Sequence, residues 1–128
     1  MAGATTWLAV AAGGALGSVA RFWMTGAVAA AMGARFPWGT LIINILGSFV
    51  IGATAGLTLT PERMGLHPDV RVFVMVGICG GFTTFSSFSL QTLELIQGGE
   101  MASALAYIAG SVLLCLAFVW AGWFLGRL

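Results

Sequence analysis

Three sets of uncharged polar residues sit inside apolar stretches of this 128-residue chain, each at helical spacing. Thr40, Asn44 and Ser48 recur every fourth residue, so one helix would carry them on a single face. Tyr107, Ser111 and Cys115 repeat that spacing. Thr84, Ser87 and Gln91 share a third face, with Phe85 and Phe88 beside it. Hydroxyls and amides on neighbouring helices would make a narrow wetted path, and they are the donors a permeating anion needs. Asn44 is the costly member, because an amide in hydrocarbon must find partners. It serves either as helix–helix glue or as a donor on that path. Arg21 is the one cation set well inside an apolar stretch, Arg71 standing at the very start of another. It reads either as a snorkelling anchor or as a charge that draws anions into a vestibule.

Enzyme chemistry has no such foundation. His67 is the single histidine and stands beside Pro68, as expected of a solvated loop. No nucleophile–histidine–acid set, paired carboxylates or metal cluster can be assembled. Cys79 and Cys115 both fall in apolar segments and form neither a disulfide framework nor a metal-ligand spacing. A formal net charge of +1 argues against a nucleic-acid partner. No acidic residue lies in the first, second or fourth apolar stretch, which counts against a proton-coupled exporter.

The elements that must position these residues are membrane helices. Charged residues make up 7% of the chain and hydrophobic ones 59%. A soluble domain carries roughly 25% charged residues. A bilayer core takes about 20 apolar residues per helix. Four stretches qualify, at residues 5–32, 38–60, 70–96 and 101–125, in one domain covering 1–128. The chain reads as an all-α, multi-pass integral membrane protein in contact with lipid, its connections short. The first stretch is too long for a signal peptide and lacks a basic start, so it is expected to remain in the mature protein. Gly13 and Gly17, Gly52 and Gly56, Gly77 and Gly81, and Gly122 and Gly126 form GxxxG pairs, which let helices pack closely in lipid. Trp7, Trp38 and Trp123 fall near span ends, as interfacial anchors do. Arg63, Arg71 and Arg127 would share one side, with Arg35 and the nearer Arg21 opposite. That bias scarcely selects an orientation.

The third stretch is irregular. Gly80-Gly81 runs into Phe82-Thr83-Thr84-Phe85-Ser86-Ser87-Phe88-Ser89, a poor helix interior. We expect a helix to about Gly77, a break near Cys79–Thr83, and a second helix after it. Unwound backbone at membrane depth must be buried in protein or line a cavity, and ions bind at such breaks.

Three motifs carry a resemblance. They are Gly13-Gly14-Ala15-Leu16-Gly17-Ser18-Val19-Ala20-Arg21, then Gly39-Thr40-Leu41-Ile42-Ile43-Asn44-Ile45-Leu46-Gly47-Ser48-Phe49, then the Gly80–Ser89 run. In length, span number and broken third helix the whole chain resembles the small bacterial fluoride channels of the Fluc or CrcB family. The resemblance implies a dual-topology, antiparallel homodimer in the cell inner membrane with two parallel pores. It implies that Phe85 and Phe88 line the fluoride path and that Asn44 donates to the anion. Ser86 and Ser87 would supply pore-side hydroxyls, Tyr107 and Ser111 a polar track, and Arg21 a vestibule charge. Thr40 shares the face of Asn44. The carbonyls of Gly80 and Thr83, from both subunits, would hold a central structural sodium ion. Members often carry serine or threonine where Cys115 stands, and many carry glutamate where Gln91 stands.

Physics is consistent with that role. Fluoride is strongly hydrated, so a pore must replace its water with many weak donors. The positive edge of a phenyl ring favours an anion without a charge that would trap it. The expected function is passive, fluoride-selective export that relieves fluoride toxicity. The rivals are a small proton-coupled multidrug exporter and a non-transporting membrane scaffold.

Overall fold

The computed structural model describes residues 1–58 and 66–128. It contains α1 (Ala4–Met32), α2 (Trp38–Thr58), α3 (Pro68–Val72), a π-helical segment (Phe73–Ile78), α4 (Cys79–Phe82), α5 (Phe85–Gln97) and α6 (Met101–Gly126). Among the described residues, four helical spans are long and apolar enough to cross a membrane: α1, α2, the composite Pro68–Gln97, and α6. The shortest, α2, has 21 residues. At 1.5 Å per residue that is roughly 32 Å, about the thickness of a hydrocarbon core. The last expected turn of the second span, through Thr60, and Arg63 lie outside the described residues.

Two glycine-lined seams organise the bundle. α2 packs most extensively against α6, and α1 against the π-helical segment and α4. A Cβ on Gly52 or Gly56 would run into the carbonyls of Val119 or Trp123; one on Gly122 or Gly126 would run into those of Phe49 or Ala53. On the other seam Gly13 meets Phe73 and Gly77, while Gly17 meets Ile78 and Phe82. The four GxxxG pairs therefore pair with one another, two by two. The seams bring backbones close enough that dispersion between main chains replaces side-chain interdigitation.

Short ties hold the ends. At one end, Thr6 Oγ1 donates to Asp69 Oδ1 at 2.6 Å, joining α1 to α3. At the other, Arg35 Nε lies 3.5 Å from Glu100 Oε1, joining the two connections there. Gly99, at φ +77°, turns the chain between α5 and α6 in a conformation that a side chain would strain. α5 is the least embedded element, touching α6 and, sparsely, α2.

The break in the third span departs from the expectation. Helix continues past Gly77 and through Gly80-Gly81 to Phe82; only Thr83 (φ −84°, ψ 155°) and Thr84 (φ −152°, ψ 117°) are extended. The glycines serve contact rather than unwinding. A Cβ on Gly81 would strike the Gly14 carbonyl and Ser18, and one on Gly77 would strike Gly13. The irregularity that precedes them is the wider π-helical turn, at the point where α1 comes closest.

Candidate functional site

The break is held by one side chain from another helix. Asn44, in the middle of α2, accepts from the Thr84 N–H at 2.8 Å through Oδ1. Its Nδ2 donates to the Thr84 carbonyl at 3.1 Å. The amide thus takes the place of both neighbours that a continuous helix would have given Thr84. Gly47, one turn on, leaves the space that the Thr83 methyl fills. Thr84 then starts the next helix: its Oγ1 accepts from the Ser87 N–H at 3.2 Å, an N-cap. The same oxygen lies 3.3 Å from Ser86 Oγ and donates to Ser87 Oγ at 3.2 Å.

Aromatic rings continue from this cap. Phe85, the first residue of α5, is 78% exposed on the single chain. Its ring centroid is 5.4 Å from that of Phe88. Phe88 in turn meets Tyr107 of α6 at 5.0 Å, edge to face at 66°. Tyr107 is fully buried, and its hydroxyl donates to Gln91 Oε1 at 2.9 Å. That bond closes the face of α5 on which Thr84, Ser87 and Gln91 lie.

Two cavities flank the break, and Thr84 lines both. One, of about 430 Å³, contains Asn44, Gly80, Thr83, Phe85, Phe88 and Ser111 along its walls. The other, of about 910 Å³, is lined by Arg21, Thr40, Ser87 and Gln91, with Ser18 and Thr25 of α1. No acidic side chain lines that second cavity. Beyond it, Thr25, Thr40 and Gln91 also border a third space of about 390 Å³ that opens beside Arg35, Glu94 and Glu100. Two buried polar atoms, Arg21 Nε and Ser111 Oγ, have no hydrogen-bond partner among the described residues. Ser111 lines the first of the flanking cavities and Arg21 the second.

The candidate residues are therefore divided rather than gathered into one pocket. Asn44, Phe85, Phe88, Ser111, Gly80 and Thr83 fall on one side; Arg21, Thr40 and Ser87 fall on the other. Tyr107 lines neither cavity and reaches the path through Gln91. Ser86 is exposed and turned to Thr84. Thr84, which shares a polar face with Ser87 and Gln91 in the sequence, also caps α5, as a threonine directly before a helix can. Its bonds to Asn44 span 40 residues of sequence and have no local signal.

The carbonyls of Gly80 and Thr83 lack the amides that a continuous helix would give them. The amide that would close a helical turn on Gly80 is that of Thr84, which is bonded to Asn44. The amide four residues after Thr83 is that of Ser87, which is bonded to the Thr84 hydroxyl. Both residues line the same cavity, and no carboxylate among the described residues lines it.

The family described as CrcB-like protein, camphor resistance (CrcB), matches residues 8–123. A protein of Rhodospirillum rubrum named fluoride-specific ion channel FluC is 58% identical over 117 residues, covering 91% of each chain. One of Methylocella silvestris with the same name is 54% identical over 116 residues, covering 91% of this chain and 87% of its own. A Thermus thermophilus protein, also so named, is 48% identical over 124 residues, covering 97% of this chain and 95% of its own.

Proposed function

This chain belongs to the CrcB family, and we propose that it is a passive, fluoride-selective ion channel of a bacterial membrane that lets fluoride leave the cell. The observation that carries this reading is the clamped break at Thr83–Thr84. It sits between two cavities, one lined by Asn44, Phe85, Phe88 and Ser111 and the other by Arg21, Thr40 and Ser87.

On this reading an anion enters beside Arg21, whose positive field is unopposed by any carboxylate in that cavity. The N-terminus of α5 faces it there, and helix N-termini favour anions. Asn44 keeps one N–H beyond the one it gives Thr84, since a primary amide has two. The edges of Phe85 and Phe88, then Ser111, complete a line of weak donors. None of the donors after Arg21 is charged, so the ion is bound without being trapped. The absence of a titratable group among them suits a passive conductor.

We further propose a homodimer with a structural sodium ion at its centre, held by the Gly80 and Thr83 carbonyls of both subunits. Replacing sodium exhaustively with a large organic cation should impair conduction or loosen the dimer. Unchanged activity and assembly would rule the ion out.

Fluoride efflux from liposomes holding the purified protein, with chloride as the control, tests the main reading. Efflux of fluoride but not chloride is expected. Equal passage of both ions, or of neither, would defeat it.

A further inference from the structure

Sulfur is concentrated where the function just proposed does not use it. Cys79 of α4, Cys115 of α6 and Met75 of the π-helical segment all line the 430 Å³ cavity beside the break. Cys79 is 3% exposed and Cys115 half-buried, and both thiols are free. Ser111, one turn before Cys115 on α6, lines the same cavity and is 7% exposed, and its hydroxyl oxygen has no partner among the described residues. No imidazole or carboxylate lines the cavity. We propose that this cavity is a binding site for a soft, low-coordinate metal ion of the silver(I) or copper(I) kind, and that the bound ion blocks the channel.

Ligand chemistry selects that class. Thiolate and thioether donors select soft ions, whereas zinc sites close with four nitrogen or sulfur ligands. Cys115 is the more accessible thiol and loses its proton to water as its sulfur–metal bond forms. The metal keeps its oxidation state throughout. One thiolate neutralises a monovalent ion, so the complex adds no net charge to a low-dielectric site. The Cys79 thiol and the Met75 thioether then bind as neutral sulfur donors. Phe85 and Phe88 share this cavity, so an ion here occupies the proposed fluoride path.

The blocking half of the proposal rests on the fluoride-channel reading; the binding half does not, and two readouts separate them. Silver nitrate in chloride-free medium is the probe, added to both sides of liposomes containing the full chain. Silver at about ten times its dissociation constant should cut fluoride efflux roughly tenfold by mass action. Excess dithiothreitol should restore it. Cys115→Ser, compared with its own silver-free rate, should lose the block. Elemental analysis of desalted protein should find about one silver per chain, and close to none in the Cys79→Ala/Cys115→Ser double variant. Equal block of Cys115→Ser, undiminished silver in the double variant, or bound silver with unaltered efflux would each overturn the proposal. Should the silver-free protein pass no fluoride, the channel reading fails alone, and the silver stoichiometry still decides the site.

Discussion

Asn44 joins two readings that the sequence keeps apart. Its amide is glue, because both of its bonds go to Thr84, and it stands on the proposed path, because it lines the cavity beside Phe85. Asn44→Asp separates these contributions from simple loss of bulk. A carboxylate can still accept from the Thr84 N–H, yet it cannot donate to the Thr84 carbonyl, and it sets a like charge against the anion. Fluoride flux should fall by roughly tenfold or more, about 1.4 kcal/mol of barrier or greater, while the protein still purifies. Flux near that of the parent would return Asn44 to packing. The two phenylalanines are distinguished by their surroundings. Phe85 is 78% exposed on one chain, so Phe85→Ile removes little internal packing. Phe88 lies between Phe85 and Tyr107, and its loss also disturbs an aromatic pair worth about 0.5–1.5 kcal/mol. If ring edges meet the anion, both variants should lose most conduction, and only Phe88→Ile should be measurably less stable. Normal conduction by both would end the aromatic-coordination claim. The sequence puts these rings about 60° apart on one helical face. What it could not supply is Tyr107 as the surface on which Phe88 rests, since that contact is between helices.

Glycine shows at the scale of the helix what a pattern reveals and what it leaves out. The GxxxG pairs are legible in the sequence as close-packing faces. Which pair meets which is not, because a seam is a property of two helices. The double glycine at Gly80-Gly81 reads as a helix breaker by intrinsic propensity. In the fold Gly81 is pressed against α1, and tertiary contact keeps it helical. The break falls later, at Thr83–Thr84, where a side chain on α2 can satisfy the backbone and a threonine can cap α5. Packing and conformation can be tested separately. Gly122→Ala drives a Cβ into the Phe49 carbonyl and should cost about 1–3 kcal/mol, as overpacking does. Gly110→Ala, on the same helix with nothing near its Cβ, should be neutral or should gain up to about 1 kcal/mol of helix stability. Thermal unfolding in detergent would order the two variants. A Gly122→Ala protein as stable as the parent would show that the α2–α6 seam is looser than its backbone contacts require.

One chain is not a finished membrane object. At the break it presents extended backbone at Thr83, an exposed Gly80, an exposed Ser86 and the Phe85 ring on its outer surface. Lipid cannot satisfy freed carbonyls, so non-helical backbone at membrane depth must be covered by protein or by water in a cavity. α5, the helix that carries Phe85 and Ser86, is also the one least embedded in its own chain. A second copy laid against this face would cover them, and a two-fold interface needs only one self-complementary patch. Charge bears on the direction of that copy. Arg71 and Arg127 lie at one end of the bundle, and Arg35 lies at the other, paired with Glu100. So small an arginine bias gives the insertion machinery little by which to choose. If chains enter in both directions, a two-fold axis in the membrane plane makes the dimer antiparallel. A cysteine appended after Leu128 reports this directly in sealed vesicles. An impermeant thiol reagent should label about half of the chains from outside, and the rest only after permeabilisation. Crosslinks between chains should join the termini of one chain to the 33–37 and 98–100 turns of the other, at each face of the membrane. Labelling of nearly all chains, or of nearly none, would require parallel subunits, and the exposed break would then have to be covered in another way.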